Sequence, residues 1–256
     1  MKPVLKIRSN HKLLMIKKRK IKRTAEKHAD LVEIFSSIQG EGLLVGAKQI
    51  FIRFAGCNLG CIFCDTPKDA RITGISVDEI LKKVKYVDRI YGEHHSVSLT
   101  GGEPLLHVSF LKKLLPVLKD EGFKIYLETN GTLYRELKQV IKHIDIIAMD
   151  FKLPSSAAMA PLWRSHREFL KIALKRNVFI KAVVTDKTQL ADIIEARNLI
   201  AKFNKDMILI LQPATPIGNR DKVVSANRLN NYRNISAERL VNVRVIPQMH
   251  KMMGIK

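Results

Sequence analysis

The chain has 256 residues, 46% of them apolar and 27% charged, with three cysteines and a net charge of +21. That length suits one domain with its own core, since single domains reach about 250 residues. No apolar run approaches the ~20 residues that cross a bilayer, no signal-peptide pattern opens the chain, and three clustered cysteines cannot build a disulfide framework. A cytoplasmic protein with free thiols is expected.

Residues 1–30 hold eleven Lys or Arg against two acids, Glu26 and Asp30. This basic extension reads either as a disordered, solvated arm or as an arm for acidic surfaces. Residues 31–256 read as a single domain. Along it, short β-branched runs at 49–54, 96–99, 124–128, 145–150, 178–184, 207–211 and 243–246 predict strands. Between them, apolar positions at three- and four-residue steps predict helices over 77–87, 108–121, 133–143, 165–176 and 188–204. The step is clear at Leu111, Leu114, Leu115 and Leu118.

Such alternation implies right-handed crossovers and an α/β fold with a parallel sheet. A closed barrel and an open sheet both fit, and in both, ligands gather at the carboxyl ends of the strands. Here several expected strand ends carry polar or glycine-rich residues: Arg53 to Cys57, Thr100-Gly101-Gly102-Glu103-Pro104, Glu128-Thr129-Asn130-Gly131, Asp150-Phe151-Lys152 and Gln212-Pro213. Facing one rim, they would form a single site.

All three cysteines lie in the loop Cys57-Asn58-Leu59-Gly60-Cys61-Ile62-Phe63-Cys64. A CxxxCxxC loop can wrap three thiolates around an iron–sulfur cluster and leave one iron open to an exogenous chelator. Structural zinc wants four ligands, which His94 or His95 would have to complete. Gly101-Gly102-Glu103-Pro104 is by itself a turn signal. After a strand that follows such a cysteine loop, it reads as a place where backbone closely approaches a ligand.

The cysteine loop and the GGEP segment resemble the radical S-adenosylmethionine superfamily. Within it, Glu33-Ile34-Phe35-Ser36-Ser37-Ile38-Gln39-Gly40-Glu41-Gly42, Phe51-Ile52-Arg53-Phe54-Ala55-Gly56-Cys57, Cys64-Asp65-Thr66 and Val243-Arg244-Val245-Ile246-Pro247-Gln248-Met249-His250-Lys251 are similar to the 7-carboxy-7-deazaguanine synthase family. The resemblance implies a partial, open TIM-like barrel of parallel strands with outer helices. It implies a [4Fe-4S] cluster on Cys57, Cys61 and Cys64. S-adenosylmethionine would be held by Phe63, Gly101, Gly102, Glu103, Asp150, Phe151, Lys152, Gln212, Pro213, Ala214 and Thr215, with Glu103 meeting the methionine amino group. The substrate, 6-carboxy-5,6,7,8-tetrahydropterin, would meet Ile38, Gln39, Gly40, Glu41, Arg53, Thr100, His250 and Lys256, and Thr66 would bind Mg²⁺.

By that resemblance the protein is a carbon–nitrogen lyase. A cofactor-borne radical takes a hydrogen atom from the pterin, the ring contracts, and ammonia leaves as 7-carboxy-7-deazaguanine forms, a precursor of queuosine-type 7-deazapurines. No side chain acts as a nucleophile. The implied partners are an electron donor such as flavodoxin or ferredoxin and a second copy in a homodimer; nucleic acid is not required. Asp150-Phe151-Lys152 departs from the Ser-Pro-Lys of many members, and residues 1–30 have no counterpart. Two other readings stay open on the sequence: an activase of a glycyl-radical enzyme, and a basic, metal-stabilised RNA-binding module that would lose affinity steeply with salt.

Overall fold

The computed structural model describes residues 27–66, 72–216 and 222–255. The basic segment up to residue 26 and Lys256, expected at the substrate, lie outside them. Nine strands are described: β1 (His28–Ile38), β2 (Lys48–Phe54), β3 (Ile72–Ser76), β4 (Ser96–Gly101), β5 (Ile125–Thr129), β6 (Ile146–Phe151), β7 (Asn177–Val184), β8 (Leu209–Pro213) and β9 (Val243–Val245). They form one sheet in the order β3-β1-β2-β4-β5-β6-β7-β8-β9. From β2 to β9 every pairing is parallel, whereas β1 runs antiparallel to both neighbours. The two edge strands do not pair with each other. The barrel is therefore open, as the family resemblance implied.

The helices are α1 (Val77–Tyr91), α2 (Val108–Asp120), α3 (Tyr134–Val140), α4 (Pro154–Ala157), α5 (Trp163–Ala173), α6 (Leu190–Ala201), α7 (Ala226–Ala237) and α8 (Met249–Met253). Among the described residues none is long and apolar enough to cross a membrane. Helix α1 starts where Ser76 accepts from the Glu79 backbone and Glu79 reaches back to Ser76, a capping box.

Three elements differ from the expectations. No strand was expected before residue 49, yet β1 runs from His28, where Ala29 and Leu31 are already buried in the sheet. Strand β3 is short and interrupted by Gly74 at positive φ, so it leaves little pattern. Helix α7, with the sequence ANRLNNYRNISA, has almost no apolar stripe. It is anchored through tertiary contacts instead: the Tyr232 hydroxyl donates to Thr188 O at 2.6 Å, and the Arg228 guanidinium donates to the carbonyls of Asp186 and Thr188.

The period-two alternation of the strands divides the molecule. Leu127, Ile147, Met149, Ile180, Ala182, Leu209 and Leu211 face outward and pack, with the helices, into the main core. Inside the barrel, Tyr126, Ala148, Phe179 and Ile210 form an apolar floor near the amino ends of β5 to β8, closed from below by Leu43 and Leu44. Those two leucines belong to the loop between β1 and β2, where Gly42 at φ 70° passes against Phe179. The next inward positions toward the carboxyl ends are Glu128, Asp150, Lys181 and Gln212, all polar. A polar ledge thus stands directly on an apolar plug.

Candidate active site

Above the ledge lies a cavity of about 640 Å³, within the size range of ligand sites. Its wall includes Cys57, Cys61, Phe63, Cys64 and Thr66 from the loop after β2, and Thr100, Gly101 and Gly102 from β4. Asp150 and Lys152 come from the end of β6, and Gln212, Ala214 and Thr215 from the end of β8. Ile38, Gln39, Gly40, Glu41, Arg53 and His250 also line it, with Glu128 and Lys181 from the ledge. The strand ends do converge on one rim.

The cysteine loop is built on close backbone approach. A Cβ on Gly101 would lie 2.2 Å from Phe54 O, and one on Gly102 would lie 1.9 Å from Gly56 O. Those glycines hold β4 against the start of the loop, where Glu103 N donates to Gly56 O at 2.9 Å. Asn130 Nδ2 donates to Asn58 Oδ1 at 2.9 Å and fixes the loop from the β5 side. All three thiols are free and share the cavity wall. Burial pushes the Cys61 thiol up, opposed by the Lys152 charge and reinforced by Asp150, Cys64 and Cys57. Among the described residues no three His, Cys, Asp or Glu side chains converge as ligands of one metal ion would. His94 is held between Ser36 Oγ and Asp88 Oδ1, both at 2.8 Å, and His95 contacts Ser96; neither lines the cavity, so the fourth ligand of the zinc reading is absent there. Three free thiols around one cavity, with open space before them, fit a cluster with one open iron.

The ledge is densely bonded. Gln39 Nε2 donates to Glu128 Oε1 at 2.8 Å and to Gln49 Oε1 at 2.9 Å, while Thr100 Oγ1 donates to Glu128 Oε2 at 2.7 Å. Lys181 Nζ donates to Glu41 Oε2 and lies 3.7 Å from Asp150 Oδ2, which also accepts from Lys152 at 2.8 Å. Burial opposes the charge of Glu41, but Lys181 and the hydrogen bond from Gln248 bring its pKa down to about 2. Burial likewise opposes the Lys181 charge, yet Glu41, Asp150 and Glu128 hold it above the ordinary lysine value. Arg53 Nε donates to Glu33 Oε1 at 3.0 Å, and its guanidinium lies 5.6 Å from the Phe35 ring centre. Two buried acceptors, Asp150 Oδ1 and Gln212 Oε1, have no partner among the described residues, although both residues line the cavity. Buried orphans of this kind call for a donor from water or a ligand.

A strap from the chain end closes one side. Met249 N donates to Gly40 O at 2.9 Å, Gln248 Nε2 donates to Glu41 Oε1 at 2.9 Å, and Lys251 pairs with Asp65 beside Thr66. His250 presses on Gly40, where a Cβ would meet the His250 Cβ at 2.4 Å. His250, expected at the substrate, sits in the short helix α8 and lines the cavity.

Three expected cofactor contacts sit elsewhere. Glu103 is fully buried outside the cavity wall, its carboxylate occupied by Leu105 N, Asn130 N and the Thr129 hydroxyl. Burial outweighs those hydrogen bonds and raises its pKa to about 7. Phe151 faces the core and stacks on His166 at 4.7 Å. Pro213 ends β8 and does not line the cavity. Conversely, Lys181 escaped the sequence reading, although a lysine inside an otherwise apolar buried run was a usable signal.

Residues 51–200 match the family model described as the Radical SAM superfamily. A 7-carboxy-7-deazaguanine synthase from Geobacter sulfurreducens is 43% identical over 245 residues, which covers 88% of this chain and 97% of the relative. The chain belongs to the 7-carboxy-7-deazaguanine synthase family. A second synthase, from Methanothermobacter thermautotrophicus, is 33% identical and covers 89% of this chain and 98% of its own length. Among solved structures, QueE from Escherichia coli superposes with a TM-score of 0.58 at 24% identity, covering 87% of this chain and 95% of that one; this likeness concerns the fold. Membership in the synthase family removes the activase and the RNA-binding module as readings of the whole chain. It also implies the cluster and S-adenosylmethionine, for which the thiols and the orphaned acceptors are suitable partners.

Proposed function

We propose that the protein converts 6-carboxy-5,6,7,8-tetrahydropterin into 7-carboxy-7-deazaguanine with loss of ammonia. The reading is carried by one juxtaposition: three free thiols and the ledge of Gln39, Glu41, Glu128 and Lys181 line the same cavity. Cys57, Cys61 and Cys64 would hold the cluster, which with S-adenosylmethionine would supply the radical chemistry. The protein's own work is positioning and exclusion of water.

A pterin presents ring N–H and amino donors beside a carbonyl acceptor. The ledge offers matching acceptors in Glu41 and Glu128, carboxylates that Lys181 and Gln39 hold in place. Arg53, held by Glu33 and Phe35, offers its outer guanidinium nitrogens to a carboxylate or carbonyl. Thr66, on the cavity wall, would supply one hydroxyl to Mg²⁺, an ion that keeps several waters and would steady the substrate carboxylate. Phe63, with Lys152 Nζ 5.4 Å from its ring centre, gives a flat wall for the adenine. The electron donor is a small one-electron carrier, and two copies form a dimer.

The test is an anaerobic assay of cluster-loaded protein with reductant, Mg²⁺, S-adenosylmethionine and the pterin, read by mass spectrometry. The expected result is 7-carboxy-7-deazaguanine. Cleavage of S-adenosylmethionine without that product would keep the radical chemistry and discard the pterin. Activity of a cluster-free Cys61→Ala variant would overturn the whole reading.

A further inference from the structure

Lys181 stands between the two halves of the cavity. On one side it donates to Glu41, which shares a loop with Gln39 and Gly40. On the other it lies 3.7 Å from Asp150 Oδ2, and the two residues are register partners on adjacent parallel strands. That distance is an ion pair but exceeds a hydrogen bond. A single ammonium thus serves two carboxylates unequally, bonded to one and waiting beside the other. Both are enclosed, with side chains 19% and 13% exposed, so neither is well served by water instead.

Asp150 matters because its other oxygen, Oδ1, is the buried acceptor without a partner. Its orientation is set through Oδ2 by Lys152 at 2.8 Å and, more weakly, by Lys181. A ligand that donates to Glu41 takes over part of what Lys181 now satisfies. The ammonium is then free to move the roughly 1 Å that turns the Asp150 ion pair into a hydrogen bond. Held from two sides, Asp150 presents Oδ1 in one direction.

We propose that Lys181 is a positioning residue that couples the two ligands: a pterin on Glu41 tightens S-adenosylmethionine at Asp150, and the reverse holds equally. The inference rests on reading the cavity as a joint pterin and S-adenosylmethionine site. Reciprocity follows from linkage, since two ligands that bias the same element must change each other's affinity by the same factor. The device favours firm cofactor binding only when there is substrate to receive the radical.

The experiment uses cluster-loaded protein without reductant, so that nothing is cleaved. Equilibrium dialysis gives the S-adenosylmethionine affinity with and without saturating 6-carboxy-5,6,7,8-tetrahydropterin. The unchanged protein is expected to bind about tenfold more tightly with the pterin present. Lys181→Met should bring that ratio close to one, and Lys181→Arg, which keeps charge and reach, should restore part of it. A merely structural lysine would lower both affinities and the melting temperature but leave the ratio intact. Where Lys181→Met does not fold, Glu41→Gln replaces it, and in either variant dialysis of the pterin confirms a saturated site before the ratio is read; the ratio should again fall close to one. A ratio near one in the unchanged protein, or one that survives in Lys181→Met or Glu41→Gln, overturns the clamp. Tight S-adenosylmethionine binding with no pterin binding at all overturns the substrate reading beneath it.

Discussion

Gly102 lies so close to Gly56 that a side chain between them has no room: a Cβ would stand 1.9 Å from the Gly56 carbonyl oxygen and 3.1 Å from the Cys57 Cβ. The obstacle is backbone, which cannot swing aside as a flexible side chain would. Gly102→Ala must therefore push the cysteine loop off β4. The expected outcome is iron content and cluster absorbance reduced to about a tenth of normal after reconstitution, because the loop no longer approaches closely. Full cluster loading of Gly102→Ala would show that the contact does not shape the thiol cradle.

Gly40→Ala probes the strap on the opposite wall. The added methyl would meet His250 at its Cβ, its ring and its backbone nitrogen, all under 3 Å. The strap, tied to Gly40 and Glu41 by two hydrogen bonds, must lift. The pterin KM should rise about tenfold, the scale expected when a positioning contact is displaced, while S-adenosylmethionine affinity in the absence of pterin stays near normal. Steady-state kinetics and dialysis separate the two effects.

Glu103 gives stability a pH dependence of unusual sign. Its folded pKa, about 7, is raised above the unfolded value by burial. The native state therefore keeps a proton that the unfolded chain has lost, and stability present below the unfolded pKa falls away as pH rises through about 7. The loss amounts to roughly 3 kcal/mol. Glu103→Gln cannot ionise and should lose this dependence, at the expense of one acceptor for Thr129 and the Asn130 N–H. Thermal melts from about pH 5 to pH 8 check it: the gap between the native protein and Glu103→Gln should narrow as pH rises. Parallel melting curves would refute the assignment.

His166 works in the opposite direction. Burial lowers its pKa to about 4, against the hydrogen bond to Asn130 O and the attraction of Asp150. The unfolded histidine takes up a proton near its ordinary value, so stability falls as pH drops from there through about 4. His166→Phe preserves the stack on Phe151 and should flatten this acid limb, at a cost of about 1 kcal/mol near neutral pH for the lost hydrogen bond. A limb as steep as the native one in His166→Phe would place the titration on another group.

What the sequence could disclose depended on how each feature is made. The parallel strands β5 to β8 announce themselves because both faces are largely apolar, and the rim residues stand out against them. The cysteine loop and its glycines are contiguous in the chain, so spacing alone brought them to notice. Strand β3 and helix α7 left no signal, since Gly74 breaks one and Asn-rich sequence blurs the other; pairing with β1 and the anchors at Thr188 decide them. The orientation of Glu103 was illegible for a related reason. Its position after two glycines suggests ligand contact, but where its carboxylate turns is fixed by Thr129 and Asn130, twenty-six and twenty-seven residues away. Lys181 was hidden by its neighbours Val178 to Val184, which read as core.

The polar ledge sits on the same strand faces as the apolar plug, separated from it by only one step of the alternation. Charged groups there are shielded from water and hold each other imperfectly, so the ledge weakens the fold that carries it. Well-packed apolar substitutions at Glu41, Asp150 and Lys181 together would be expected to yield a protein that melts higher and does nothing. In a survey of variants, then, a rise in melting temperature that maps to this ring of residues would mark the working parts of the molecule as surely as a loss of turnover.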